Sequence, residues 1–336
     1  MSFKRVELTR EILSSNSLAK VFPKTDKHLT SISFNDTGEY CVVAGEDDNL
    51  NVYNCKEGTV RSTLYSKKYG VTLARFTHHK NNVIYASTKE DDTLRYLSIH
   101  DNKYIRYFRG HKQRVTAIEM SPIDDTLLTA SLDETVRMWD LRSSTCQGLV
   151  HGEGKTLVAI DPQGLVFAVG SNCDTIRVYD FREYTQGPFA TWKVEDAQYT
   201  PGRLPEWTSL KFSSDGTRLI VSTLSDTIYV LDAFEGRLLQ RLVGHAGPNT
   251  SSCGEEVCIT PDARFVLAGG RDNCLRFWDL LGNKDSIDNQ PFATLPTPHK
   301  SGVKIVGYNP LNAMCVSGGE ELAFWLPNLK KTGPPS

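Results

Sequence analysis

The chain has 336 residues, 39% of them hydrophobic, and a formal net charge of -2. That balance gives no overall field to draw it to nucleic acid or an anionic membrane. No apolar run reaches the roughly 20 residues of a spanning helix, and the opening MSFKRVELTR has no apolar stretch behind it to make a secretory signal.

In chain order, VELTREIL (6–13) places Leu8 and Ile12 one helical turn apart, so a short helix is expected there. SLAKVF, in the 18–23 region, has strand character but no hairpin partner nearby. From LTSISF onward the chain repeats itself. The first unit continues through EYCVVAG and NLNVYN (49–54), and the second ends in TLRYLS (93–98). VTAIEM, TLLTAS and TVRMWD (135–140) form the third; TLVAID, LVFAVG and TIRVYD (175–180) form the fourth. SLKFSS, RLIVST and TIYVLD (227–232) make the fifth, and EVCITP, RFVLAGG and CLRFWD (274–279) the sixth. VKIVGYN and ELAFWL (321–326) end the series. The closing stretch of each unit alternates apolar and polar residues, as a half-buried strand does. Turn formers such as NDTG, SPIDD, DPQG, SSDG and TPDA separate the strands.

Units of roughly 40–50 residues with about four strands each predict an all-β fold, a seven-bladed WD-repeat β-propeller. Residues 110–140 and 244–279 carry the Gly-His…Trp-Asp pattern most completely. The seventh unit ends before an outer strand can form, so SLAKVF is expected to supply it and close the ring. The expected organisation is an N-terminal extension (1–17), a single propeller (18–327) and a short tail (328–336).

Ser131, Asp133 and His111 have the composition of an acyl-transfer triad. In a blade, however, Trp139 would lie on the third strand, Ser131 at the end of the second, Asp133 in the turn between them and His111 in the preceding loop. The expected bonds run from the Trp139 indole to Ser131, from Ser131 to His111, and from His111 to Asp133. Every polar group in that buried chain then has a partner. No Gly-x-Ser-x-Gly elbow accompanies Ser131, so the reading is structural and no catalytic residue is assigned. His245, Asp272 and Trp278 repeat the pattern in the sixth unit, with Gly270 at the serine position. His28 and Asp47 repeat it in the first, with Gly45 and Tyr53 in place of Ser and Trp. On this reading stability is concentrated in the third blade.

Other chemistry is weaker. GEGKT (152–156) ends like a phosphate loop, but Leu149 stands at the position of the required glycine and a strand follows instead of a helix. The cysteines, Cys41, Cys55, Cys146, Cys173, Cys253, Cys258, Cys274 and Cys315, never form Cys-x-x-Cys. Free thiols in a reducing, intracellular compartment are expected, with no metal and no cofactor. HDNKYIRYFRGHKQR (100–114) interleaves Lys103, Arg106, Arg109, Lys112 and Arg114 with Tyr104, Tyr107 and Phe108. Such a rim, with Lys67 and Lys68 nearby, either holds RNA or phosphorylated peptide or is a solvated outer strand. The long connections 194–206 and 281–300 are candidate recognition loops or passive ones.

TLYSKKYGV, HDNKYIRYFRGH, SLDETVRMWDLRS, GPFATWK, EWTSLKFSSDGT, DAFEG and the terminal AFWLP together resemble one family of WD-repeat proteins. These are the propeller subunits of COMPASS-type histone lysine methyltransferase complexes, shared in fungi with the cleavage and polyadenylation factor. The resemblance runs from Leu18 to Pro327 and departs from the animal form at 194–206 and 246–254. It implies a non-catalytic, nuclear, chromatin-associated scaffold that supports histone H3 methylation at transcribed genes and transcription termination. The implied partners are the SET-domain methyltransferase and other COMPASS subunits, the phosphatase module of the polyadenylation factor, and the phosphorylated RNA polymerase II tail; no membrane is among them. The alternative is direct reading of a phosphorylated or modified peptide or RNA by the basic rim.

Overall fold

Alternating apolar strands and tight turns assemble into seven sheets, antiparallel except for one added outer strand, arranged as a β-propeller. The structure is a computed structural model that describes residues 7–25, 27–200, 202–247, 254–282 and 286–328. Blade 3 is typical. Val115–Met120, Thr126–Ser131, Thr135–Asp140 and Cys146–His151 run from the axis to the rim, each antiparallel to its predecessor. Blades 1 to 6 begin at Leu29, Thr72, Val115, Leu157, Trp207 and Val257, and blade 7 at Ile305.

There is no single central core. Buried apolar residues form seven clusters, each shared by two neighbouring blades. Strand alternation explains this. In Tyr40–Gly45, Val42 and Ala44 face blade 2, while Cys41 and Val43 face blade 7. The second and third strands are therefore buried on both faces rather than half-buried, and even Asn51 and Arg95 are buried. Half-burial holds at the rim, where Lys103–Phe108 alternates until Phe108 turns inward. Each blade lacks a core of its own, so the ring stands or falls together.

The ring closes through the N-terminal segment. Asn16–Val21 pairs antiparallel with Leu322–Pro327, placing Leu18 opposite Trp325 and leaving a bulge before Lys20. The strand begins two residues before the expected ring boundary at residue 18. Phe22, just beyond it, wedges between Tyr53 of blade 1 and Phe324 of blade 7, with ring centroids 4.5 and 4.9 Å away. The expected helix is shorter and later than VELTREIL, because Thr9 caps it by accepting a bond from the Ile12 amide, so it spans Arg10–Ser14. Its anchor is the fully buried Leu13, not Ile12. Arg10 Nε donates to Asp279 at 2.8 Å, fastening the helix to blade 6.

Both long connections are tied to blade 5. Asp288–Asn289 adds a short parallel strand outside Leu238–Leu242. Arg241 bridges Asp288 and the buried Asp196, each at 2.7 Å, and Tyr229 donates to Asp196 at 3.1 Å.

Candidate functional site

The serine-histidine-aspartate set of blade 3 is assembled differently from the sequence expectation. The Trp139 indole donates to Thr129 Oγ1 at 2.9 Å, and His111 Nε2 lies 2.8 Å from that hydroxyl. Indole nitrogen can only donate, so Thr129 accepts from it and its own proton goes to Nε2. Nδ1–H of His111 then donates to Asp133 Oδ2 at 3.0 Å. Burial lowers the His111 pKa, which keeps the ring neutral as this bond order requires. Asp133 feels the opposite pull: desolvation would raise its pKa, but donors at Thr135, the Lys112 amide and His111 hold it well below the usual carboxylate range.

Ser131 is outside the chain. It is fully buried, donates to the Gln113 carbonyl at 2.8 Å and accepts the Asp133 amide at 3.1 Å. The correction has a geometric cause. Thr129 lies directly across the Thr126–Ser131/Thr135–Asp140 pairing from Arg137, within reach of the Trp139 ring, while Ser131 closes the turn. A serine bonded to backbone, without an imidazole beside it, is not an activated nucleophile.

In blade 6, His245, Asp272 and Trp278 do not form a network. Position 268, ten residues before Trp278 as Thr129 is before Trp139, is alanine. The indole donates to the Val243 carbonyl at 3.1 Å, and Asp272 pairs with Arg276. His245 Nδ1 is buried without a partner, and burial pushes the ring pKa down to about 4. Blade 1 is also unwired: Asp47 serves Asn49, and His28 Nδ1 is unpartnered.

Sequence reasoning missed a second network, in blade 7. The Trp325 indole donates to Ser317 Oγ at 2.8 Å, and His299 Nε2 lies 2.8 Å from the same oxygen. Glu321 Oε1 stands 3.5 Å from Nδ1, which is buried and makes no hydrogen bond, so the series ends at the imidazole. Burial lowers the His299 pKa to about 4. A hydroxyl eight residues before Trp325 was the available signal. It was hidden because the acid is glutamate and leucine, not aspartate, follows the tryptophan.

The basic rim divides by function. Arg106 donates to the Leu141 carbonyl of blade 3 and is a clamp between blades. Arg109 lies over Tyr107, 5.5 Å from its centroid, and is exposed. Lys67 and Lys68 are exposed beside Tyr65 and Tyr69. Arg95, which the sequence did not mark, stacks on Tyr69 at 3.7 Å while paired with Asp91. Lys103 is exposed on the outer strand, and Lys112 and Arg114 are exposed on the loop carrying His111. These cations are spread over an outer strand and the loops on either side of it.

The GEGKT segment is a turn. Gly154 has φ of +64°, and strand Leu157–Ile160 follows. Lys155 Nζ bonds to Glu206 at 2.8 Å and to the Trp207 carbonyl at 3.0 Å. Inside the channel, Arg75 pairs with Glu255 across the ring, and Lys211 Nζ lies 3.6 Å from the same carboxylate. Glu119 stands among them, its pKa raised by burial. Cys253 lies outside the described residues and the other seven cysteines are free. Among the described residues no group of His, Cys, Asp or Glu is placed to hold a metal, and no helix is long and apolar enough to cross a membrane.

Comparison with known proteins adds to this geometry. The family described as WD domain, G-beta repeat matches residues 16–54, 102–140 and 236–279. The chain is 41% identical to WD repeat-containing protein 82 of Drosophila melanogaster, over 96% of this chain and 98% of that protein. It is 35% identical to Set1 complex component swd2 of Schizosaccharomyces pombe, over 98% and 95% of the two chains. COMPASS component SWD2 of Saccharomyces cerevisiae is 33% identical, over 89% of this chain and 90% of its own.

Proposed function

Because the chain belongs to the WD-repeat family that includes WD repeat-containing protein 82 and the Set1 component swd2, we propose that it is a non-catalytic scaffold subunit of a Set1/COMPASS-type methyltransferase complex. The observation that carries the reading is similarity along nearly the whole chain to proteins named as components of that complex. The structure supports an inert role: the one Ser/His/Asp set that invites a catalytic reading is bonded internally.

The finer reading is that the ring serves a SET-domain methyltransferase subunit and its COMPASS neighbours in methylating histone H3 at transcribed genes. It acts in the nucleus, associated with chromatin. A further role in the cleavage and polyadenylation factor would join it to a phosphatase module in transcription termination, with the phosphorylated polymerase tail as another contact. Affinity purification of the tagged chain with mass spectrometry tests all of these. The SET-domain subunit should co-purify in near-stoichiometric amount; its absence from a well-expressed bait contradicts the proposal.

A direct-reader role through the rim has narrower support. With Arg106 committed to Leu141, the exposed cations left for it are Lys67, Lys68, Lys103, Arg109, Lys112 and Arg114.

A further inference from the structure

The turn between the first and second strands of each blade lies on the face opposite the His111 loop. Neighbouring turns are linked there. Asn309 of blade 7 donates to the Gly38 carbonyl of blade 1 at 2.7 Å, and Ser214 of blade 5 donates to the Thr260 carbonyl of blade 6 at 3.2 Å. His78, in the blade 2 turn, makes two links at once. Its Nδ1 lies 2.9 Å from Asp36 Oδ2 in the blade 1 turn, and its Nε2 lies 2.9 Å from the Ser121 carbonyl at the start of the blade 3 turn.

These partners fix the charge of the ring. A peptide carbonyl only accepts, so Nε2 carries a proton; an ionised carboxylate only accepts, so Nδ1 carries one too. Both bonds together require the imidazolium. His111 and His299 differ, because each meets a hydroxyl through Nε2 and a hydroxyl can donate to a neutral ring. The surroundings of His78 favour the cation: turns 35–39, 77–81 and 121–125 carry Asp36, Glu39, Asp124 and Asp125 against Lys80 and the adjacent His79. The bond to Asp36 raises the ring pKa above its ordinary 6.5; desolvation opposes it, and the Ser121 carbonyl and the charge of Asp125 add to it.

The two links are not equally replaceable. Asp36 is 64% exposed, so water can take over its carboxylate. Ser121 is buried, and its carbonyl would be left unpaired. A neutral ring with a single N–H therefore keeps it on Nε2. We infer that His78 is a proton-dependent staple of this face. As the imidazolium it ties the first turns of blades 1, 2 and 3 together; on losing its Nδ1 proton to solvent it releases Asp36 and frees the blade 1 turn while holding blade 3. The stabilisation from the pair is fully present below about pH 6.5 and is lost as pH rises through the folded pKa. The blade 1 turn keeps its Asn309 link, so the released state is a local opening and not an unfolding of the ring. The inference is independent of the complex to which the chain belongs.

The test uses the full chain, isotope-labelled in its histidine rings and titrated by NMR from about pH 5 to about pH 9, with His78 assigned from His78→Gln. The His78 midpoint should lie above 6.5, and the neutral ring should carry its proton on Nε2. Asp36→Asn should bring the midpoint down. Exchange of the Gly38 amide, which is bonded to the Asn35 carbonyl, should be about threefold faster above the midpoint than below it once corrected for intrinsic rate, as for loss of a part-exposed ion pair. That step should vanish in Asp36→Asn. Glu235→Gln, which removes an exposed carboxylate of blade 5, should leave midpoint and exchange unchanged. A midpoint at or below 6.5, a neutral ring protonated on Nδ1, or Gly38 exchange without a step overturns the proposal. An equal fall in midpoint from Glu235→Gln would assign the shift to net charge and overturn the pairing with Asp36.

Discussion

Blades 6 and 7 reverse what their sequences advertise. Blade 6 carries Gly244, His245, Trp278 and Asp279, yet its indole turns to a backbone carbonyl instead of a side-chain hydroxyl. Blade 7 lacks the Trp-Asp ending, yet Trp325, Ser317 and His299 are bonded in series. The deciding position is on the second strand facing the tryptophan: it holds a hydroxyl in Thr129 of blade 3 and Ser317 of blade 7, and none in Ala268 of blade 6. The signature residues alone do not wire a blade; the hydroxyl decides whether the tryptophan and histidine are joined. Blade 7 is also where the chain closes on itself, so the second network sits at the seam.

The largest expected effect comes from removing that seam. Deleting residues 1–23 takes away the outer strand of blade 7 and the Phe22 wedge, and should yield aggregated protein. A soluble deletion variant with a cooperative melt would show that the seam is dispensable.

Next in size are the tryptophans. Trp139 and Trp325 each combine deep burial with an indole bond to the shared hydroxyl, so Trp139→Ala and Trp325→Ala should each cost about 3–5 kcal/mol in urea denaturation. Trp139→Phe and Trp325→Phe should then lose more stability than Trp278→Phe, which forgoes only a bond to backbone. Equal losses in the three blades would erase the distinction.

Acid separates the blades in another way. His245 and His299 have folded pKa values of about 4 against an ordinary 6.5. Over that interval the unfolded chain binds more protons than the folded one, so stability is fully present above about pH 6.5 and falls as pH drops toward 4, by at most about 3 kcal/mol per ring. His245→Phe should flatten part of this acid limb with little change at pH 7. His299→Phe should flatten it too, but lose stability at pH 7 because the Ser317 hydroxyl keeps the Trp325 donor and loses its imidazole acceptor. Matching pH profiles for the two variants would contradict the wiring difference.

The fold was legible because period-two strands, turn formers and a fixed repeat are one-dimensional signals. The closing strand was legible as a surplus in SLAKVF matched to a deficit after AFWLP. The network was only half legible. Sequence spacing placed His111, Asp133 and Trp139 correctly, but choosing between Thr129 and Ser131 needs to know which residue the pleat turns toward the indole. Ser317 and His299 were missed because the carboxylate beside His299 belongs to a glutamate, Glu321, and not to an aspartate. The channel charges could not be read at all, since Arg75 and Glu255 are 180 residues apart and meet only across a closed ring.

The most direct test of the wiring is a double-mutant cycle in blade 7, combining Ser317→Ala and Trp325→Phe and reading stability by urea denaturation. Residues in one hydrogen-bond network couple, and a coupling of about 1 kcal/mol is expected here. In the matching blade 6 cycle, Ala268→Ser with Trp278→Phe, the parent pair should show that no such bond exists to be lost: Trp278→Phe alone costs less than Trp325→Phe. Additive losses from Ser317→Ala and Trp325→Phe would contradict the account, because the hydroxyl and the indole would then not be wired together.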